Sequence, residues 1–127
     1  MRERTQADDI CQGAYNRALL DLILPPMRMA AKDAGYAITV HGSLNRDIDV
    51  VAIPWREHHV KDADFLVQML AGAIAGVAGR CNPQKDWEEK PHGRRAKILL
   101  VWCGETTGHL DLSVMPVIRK EEPPCAA

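Results

Sequence analysis

Apolar positions recur at helical spacing near the start of the chain. Ile10, Ala14, Ala18, Leu19, Leu22 and Ile23 fall three and four residues apart and form one stripe. Pro25-Pro26 is expected to end that helix, because proline removes a backbone donor and restrains the residue before it. Residues 27–34 then restart as a short helix that Gly35 stops. Here the period changes to two. Residues 36–40 and 47–53 are rich in β-branched side chains and read as strands, the second closed by Pro54. The short link between them predicts antiparallel neighbours. Asp62 or Asp64 caps a predicted helix over 63–78, with Phe65, Leu66, Met69, Leu70, Ala73, Ile74 and Val77 on its apolar face and Gly79 as its stop. Residues 80–95 are polar, contain Pro83, Pro91 and Gly93, and are expected to be loop. Two further strands follow at 96–103 and 109–114, joined by a hairpin loop, and the tail beyond Met115 is expected to be irregular. The order helix, strand, strand, helix, strand, strand predicts one α/β (α+β) domain over 1–127. It has two layers, a mixed or mainly antiparallel sheet with helices packed on one face.

Composition narrows the function classes. The chain of 127 residues carries sixteen basic and seventeen acidic side chains, a net charge of -1. No long-range field draws nucleic acid or an anionic membrane, so any anion site has to be local. The longest nearly uncharged stretch, 65–79, is shorter than the roughly 20 residues of a membrane span. Arg2, Glu3, Arg4, Asp8 and Asp9 stand where a signal peptide would place its apolar core. Cys11, Cys81, Cys103 and Cys125 lack C-x-x-C spacing and are expected to be reduced thiols of a cytoplasmic protein. A structural zinc site built from them and from His41, His58, His59, His92 and His109 lacks a close-spaced ligand pair of the usual kind.

Three aspartates carry the candidate chemistry. Asp47 and Asp49 are two apart on a predicted strand, so both point to one face about 7 Å apart. Like charges that close raise one another's pKa unless a cation sits between them, and a hard divalent ion prefers such oxygen ligands. Asp111 lies in another apolar strand, with Leu110, Leu112 and Val114 on one face and Asp111 and Ser113 on the other. Three converging carboxylates can hold two metal ions about 4 Å apart, which serves in-line phosphoryl transfer. By itself a D-x-D pair is weak, since it also occurs where both acids merely face water. Gly42-Ser43 just upstream strengthens it, because glycine lets a phosphate approach the backbone and serine donates a hydrogen bond.

The series Val40-His41-Gly42-Ser43, Asp47-Ile48-Asp49-Val50-Val51 and Leu110-Asp111-Leu112 resembles the nucleotidyltransferase superfamily of the polymerase β type. The resemblance covers about residues 36–115. The chain is also similar to small phage or prophage proteins of that superfamily, through Arg46-Asp47-Ile48-Asp49, Pro54-Trp55, Pro91-His92-Gly93-Arg94 and Asp111 to Pro116. The resemblance implies a minimal nucleotidyltransferase fold in which Asp47, Asp49 and Asp111 are catalytic and bind Mg²⁺ (or Mn²⁺). Gly42 and Ser43, with Arg46 and Arg94, would bind the phosphates of an NTP. The acceptor would be a hydroxyl on protein, RNA or a small molecule, and the location the cytoplasm of a bacterial host. Only Leu44, Asn45 and Arg46 separate Gly-Ser from the acidic strand, where typical members place a helix and a longer loop.

Several residues carry two readings. Lys90, His92, Arg94, Arg95 and Lys97 form a basic segment that grips a triphosphate or a nucleic-acid backbone, or stands as a solvated loop; on a strand Arg94 and Arg95 cannot face the same way. Arg46 is a phosphate ligand or an ion-pair partner. Trp55 stacks on a base or closes the edge of a core, and Trp102 is expected in the core. His58-His59 reads as a polar loop pair. The rival to catalysis is an inactive module of phage origin on the same fold, binding a nucleotide, a nucleic-acid end or a host protein. A metal-dependent nuclease is a third reading.

Overall fold

The structure, a computed structural model, describes residues 3–117; the expected irregular tail from residue 118 onward and Cys125 lie outside that range. Its elements run α1 (Gln6–Ala34), β1 (Tyr36–His41), β2 (Ile48–Pro54), α2 (Ala63–Ala78), β3 (Arg80–Pro83), β4 (Glu88–Glu89), a 3₁₀ turn at Pro91–Gly93, β5 (Arg95–Cys103) and β6 (Thr106–Val114). The strands form one mixed sheet in the order β1-β2-β6-β5-β3, with β4 paired to β5. The β2–β6 pairing is parallel and the others are antiparallel. Both helices pack on one face, α1 over β1 and β2, α2 over β3 and β5, and against each other. This is the expected two-layer α+β architecture, and β1 and β2 are the expected antiparallel neighbours.

Alternation along the strands divides the sheet. Ile48, Val50, Leu99, Val101, Leu110 and Leu112 are fully buried under the helices, where they meet Ile23 and Met27 of α1 and Leu66, Leu70 and Ile74 of α2. The opposite face has no helix over it. Asp49, Val51, Ile53, Asp111 and Ser113 belong to it, since they alternate with the buried set.

Four expectations are corrected. Pro25 and Pro26 do not break the first helix, which runs without interruption through 29 residues. Prolines at 25 and 26 deprive the carbonyls of Asp21 and Leu22 of their donors, and both residues are exposed, so water takes the missing bonds. The fully buried Ile23, Met27 and Ala31 hold the helix to the sheet on both sides of the pair. Its buried stripe is also displaced from the apolar reading: Ile10 is 64% exposed and Leu22 41%, whereas Gly13 and Asn16 are buried. Residues 80–95 are not simply loop. They contain β3, β4 and the 3₁₀ turn, elements too short and polar to show a period. Trp102 stands opposite Thr107 on the open face, half-buried with Arg80 against its ring, and is not a core residue. Asp62 is the helix cap, its carboxylate accepting from the Phe65 N–H at 2.8 Å. Among the described residues no helix is long and apolar enough to cross a membrane.

Leu110 faces Ile48 beneath the Asp49–Asp111 row and is fully buried. Leu110→Ala is expected to cost about 3 kcal/mol in urea denaturation, as a lost apolar contact plus a cavity.

Candidate active site on the open sheet face

The parallel register brings the predicted acids together. Asp49 of β2 is the direct partner of Asp111 of β6. Asp47 precedes β2 by one residue, and its charge acts on both. His41 closes the row as the partner of Asp49 on β1. Burial raises the Asp49 carboxyl above its ordinary value; the charges of Asp111 and Asp47 raise it further and His41 opposes them. Asp111 is likewise raised, first by burial and then by Asp47 and Glu88, against Lys90 and Arg94. Oδ1 of Asp111 is buried without a hydrogen-bond partner.

A turn from α1's side of the fold shapes the near edge. Gly42 has φ +81°, and a Cβ there would stand 2.8 Å from Oδ2 of Asp49, so bare backbone is what lets this carboxylate lie against the turn. Leu44 is also left-handed, with φ +65°. The N-terminal half of α1 holds this conformation. Asn16, fully buried, donates through Nδ2 to the carbonyls of Leu44 (2.7 Å) and Arg46 (3.2 Å), and its Oδ1 accepts from Gln12 at 2.9 Å. Arg17 donates to the Ser43 carbonyl and Arg4 to that of Asn45. Asn16 was invisible as a site residue in the sequence; its only signal is a polar position in the middle of a helix stripe.

The phosphate candidates separate. Ser43 is exposed, and its Oγ accepts from the Asn45 N–H at 3.3 Å. Arg46 is largely exposed and lies 3.9 Å from Asp9 of α1, which is the ion-pair reading of that residue. Arg94 does reach the acids: its guanidinium donates to Ser113 Oγ at 3.2 Å, two residues beyond Asp111 on the same face, and its charge acts on Asp111. Lys90 also acts on Asp111 and pairs with Glu88 at 2.9 Å. Strand alternation sends the rest of the basic segment elsewhere. Arg95 and Lys97 lie over the ring of Trp87 at 4.4 and 4.7 Å, while Trp87 donates to Asp64 at 2.7 Å. The sequence did place Ser113 on the face of Asp111, but not His41 or Glu88 beside the acids; the pairing of strands brings those two there.

Among the described residues, no three His, Cys, Asp or Glu side chains already close around one metal position. The donor set nevertheless suits a hard divalent cation: carboxylate oxygens from Asp47, Asp49 and Asp111, one of them buried and unpartnered. Among the described residues, cysteine offers no rival ligand set. Cys11, Cys81 and Cys103 are free, and burial pushes the Cys81 thiol up to about 11. No family model matches the chain, and no curated protein matches it significantly in sequence.

Two outcomes follow for this site. Asn16→Ala withdraws both donors from the turn and is expected to cost about 2 kcal/mol in urea denaturation, with faster amide exchange at residues 45–47. Asp111→Asn bears on pH dependence. A carboxyl with a raised folded pKa keeps its proton in the folded chain where the unfolded chain has lost it, so stability falls as pH rises from the ordinary aspartate value through the raised one. The cost persists at neutral pH. Asp111→Asn is therefore expected to raise Tm at pH 7, and the gain to vanish below about pH 4, by calorimetry across that range.

Proposed function

We propose that this protein is a minimal metal-dependent nucleotidyltransferase, moving a nucleoside monophosphate from an NTP to a hydroxyl acceptor with release of pyrophosphate. The observation that carries the reading is the in-register pair Asp49–Asp111 on the open sheet face, with Asp47 beside it and an unpartnered Oδ1 on Asp111. The resemblance of Gly42-Ser43, Asp47-Ile48-Asp49 and Leu110-Asp111-Leu112 to the polymerase β-type superfamily supports it further.

Asp47, Asp49 and Asp111 would hold Mg²⁺ or Mn²⁺, which when bound offsets the triphosphate charge and lowers the pKa of the attacking hydroxyl. The acceptor oxygen bonds to the α-phosphorus as the bond to the bridging oxygen of the β-phosphate breaks. Asp111, the register partner of Asp49, would take the hydroxyl proton. Arg94, hydrogen-bonded to Ser113, would bind phosphate oxygens, and Gly42 lets the Asp49 carboxylate lie against the turn. Catalysis on this plan is mostly positioning and charge neutralisation.

A non-catalytic binding module on the same scaffold is the second reading. One observation favours it: the turn spends its polar groups on α1 and on itself, with the Ser43 and Asn45 carbonyls and Ser43 Oγ already engaged. Calorimetry with Mn²⁺ and each NTP separates the two, since metal binding without NTP binding indicates the module.

With a labelled NTP, Mg²⁺ and a mixed pool of hydroxyl acceptors, the wild-type chain is expected to transfer label and Asp49→Ala to lose at least about 100-fold. Equal transfer by both refutes the proposal.

A further inference from the structure

The row of acids does not end the open face. Two residues beyond Asp49 and Asp111, about 7 Å along the strands, stand Val51 and Ser113, and beyond them Ile53 and Met115. Met115 continues the ladder, its N–H donating to the Ala52 carbonyl at 2.9 Å. Here the face opens into a cleft of about 510 Å³ whose walls include Val51, Ile53, Trp55, His92, Met115 and Pro116. That volume is in the range of small-molecule sites.

The walls have the chemistry of a ring-binding site. Trp55 is 52% exposed, unusual for so large an apolar side chain. Its ring is braced by Arg56, whose guanidinium carbon lies 5.3 Å from the ring centroid and whose Nη2 donates to the carbonyls of Asp33 and His59. His92 reaches the cleft from the 3₁₀ turn, which seats on Pro116: a Cβ on Gly93 would stand 3.3 Å from Pro116 Cγ. The same turn leads into Arg94, which binds Ser113 between the cleft and the acids. Phosphate-facing charge and an apolar cleft with polar side chains at its rim thus lie in sequence along one face.

We infer that this cleft receives the nucleobase of the NTP, stacked on Trp55, while the phosphates lie at Asp49, Asp111 and Arg94. The inference rests on the nucleotidyltransferase reading and names the part of the substrate that reading leaves unplaced. A planar heteroaromatic ring is the occupant the walls favour. Val51, Ile53 and Pro116 offer apolar surface to its faces, and His92 offers a hydrogen-bonding group to its edge. The cleft begins at Val51, two residues from Asp49, and ends at Trp55, six residues from it, so ribose and phosphates would lie over Val51 and Ser113 with the ring at the far wall. Trp55 also borders a second cleft, of about 360 Å³, with Arg28, Lys32 and Tyr36. That one lies at the β1 edge, away from the acids' end of the face, and does not connect base to phosphate.

The test uses partial ligands on the whole chain. Adenosine and uridine, which lack phosphate, probe the cleft; inorganic tripolyphosphate with Mg²⁺ probes the acids. Heteronuclear NMR is expected to show nucleoside-induced shifts at the Trp55 indole N–H and the Val51, Ile53 and Met115 methyls. Trp55→Ala is expected to weaken NTP binding about tenfold in calorimetry, with Trp55→Phe restoring most of it and tripolyphosphate binding unchanged. NTP binding by Trp55→Ala equal to wild type, or nucleoside shifts at Arg28, Lys32 and Tyr36 instead, overturns the inference and leaves the acid site standing. Absence of tripolyphosphate binding to the wild-type chain overturns the nucleotidyltransferase reading itself, and with it the assignment of the base.

Discussion

The parallel pairing of β2 with β6 is the constraint on which the rest depends. It makes Asp49 and Asp111 register partners, and it is pinned from the other side of the sheet. Ile48 faces Leu110 and Val50 faces Leu112, all fully buried beneath the helices. A slip of one residue in either strand would drive a carboxylate into that core and lift a leucine or isoleucine into water. The apolar layer therefore enforces the proximity of two charges that repel each other. Burial raises both carboxyls first, and neighbouring acids raise them further, Asp111 and Asp47 acting on Asp49 and Asp47 and Glu88 on Asp111; a bound cation is a physical means of relieving that cost.

The second constraint is the grip of α1 on the turn before β2. A long helix that ran only along the sheet would leave Gly42–Arg46 to sample many conformations. Asn16, Arg17 and Arg4 instead bind four of its features, three by backbone carbonyls in the span 43–45 and one at Arg46. Two left-handed residues, Gly42 and Leu44, are held this way. The helix thus sets where Asp47 and Asp49 begin, although it contributes no side chain to the acids themselves.

Much of the fold was legible from periodicity. The helix at 63–78 and its Gly79 stop, the antiparallel pair β1–β2 and the alternation around Asp111 all follow from local patterns, because each element buries one face strongly enough to imprint a period on its residues, while the choice of Asp62 over Asp64 as cap came from the structure. The proline pair misled, because the rule that proline ends helices holds when the freed carbonyls have nowhere to go; those of Asp21 and Leu22 face water, and the buried residues on either side favour continuity. The edge strands β3 and β4 escaped notice because four and two residues are too few to show alternation.

The candidate site divides along the same line. From the chain alone came the identity of the acids, the shared face of the i and i+2 positions, and the opposition of Arg94 to Arg95 across a strand, since these depend only on backbone geometry within one segment. What tertiary structure decided was which segments meet: Asp111 across from Asp49, His41 on its far side, Arg94 on Ser113, and Arg46 within reach of Asp9. Strand order and register are set by the fit of distant apolar faces under two helices, a sum over many side chains that no local pattern contains.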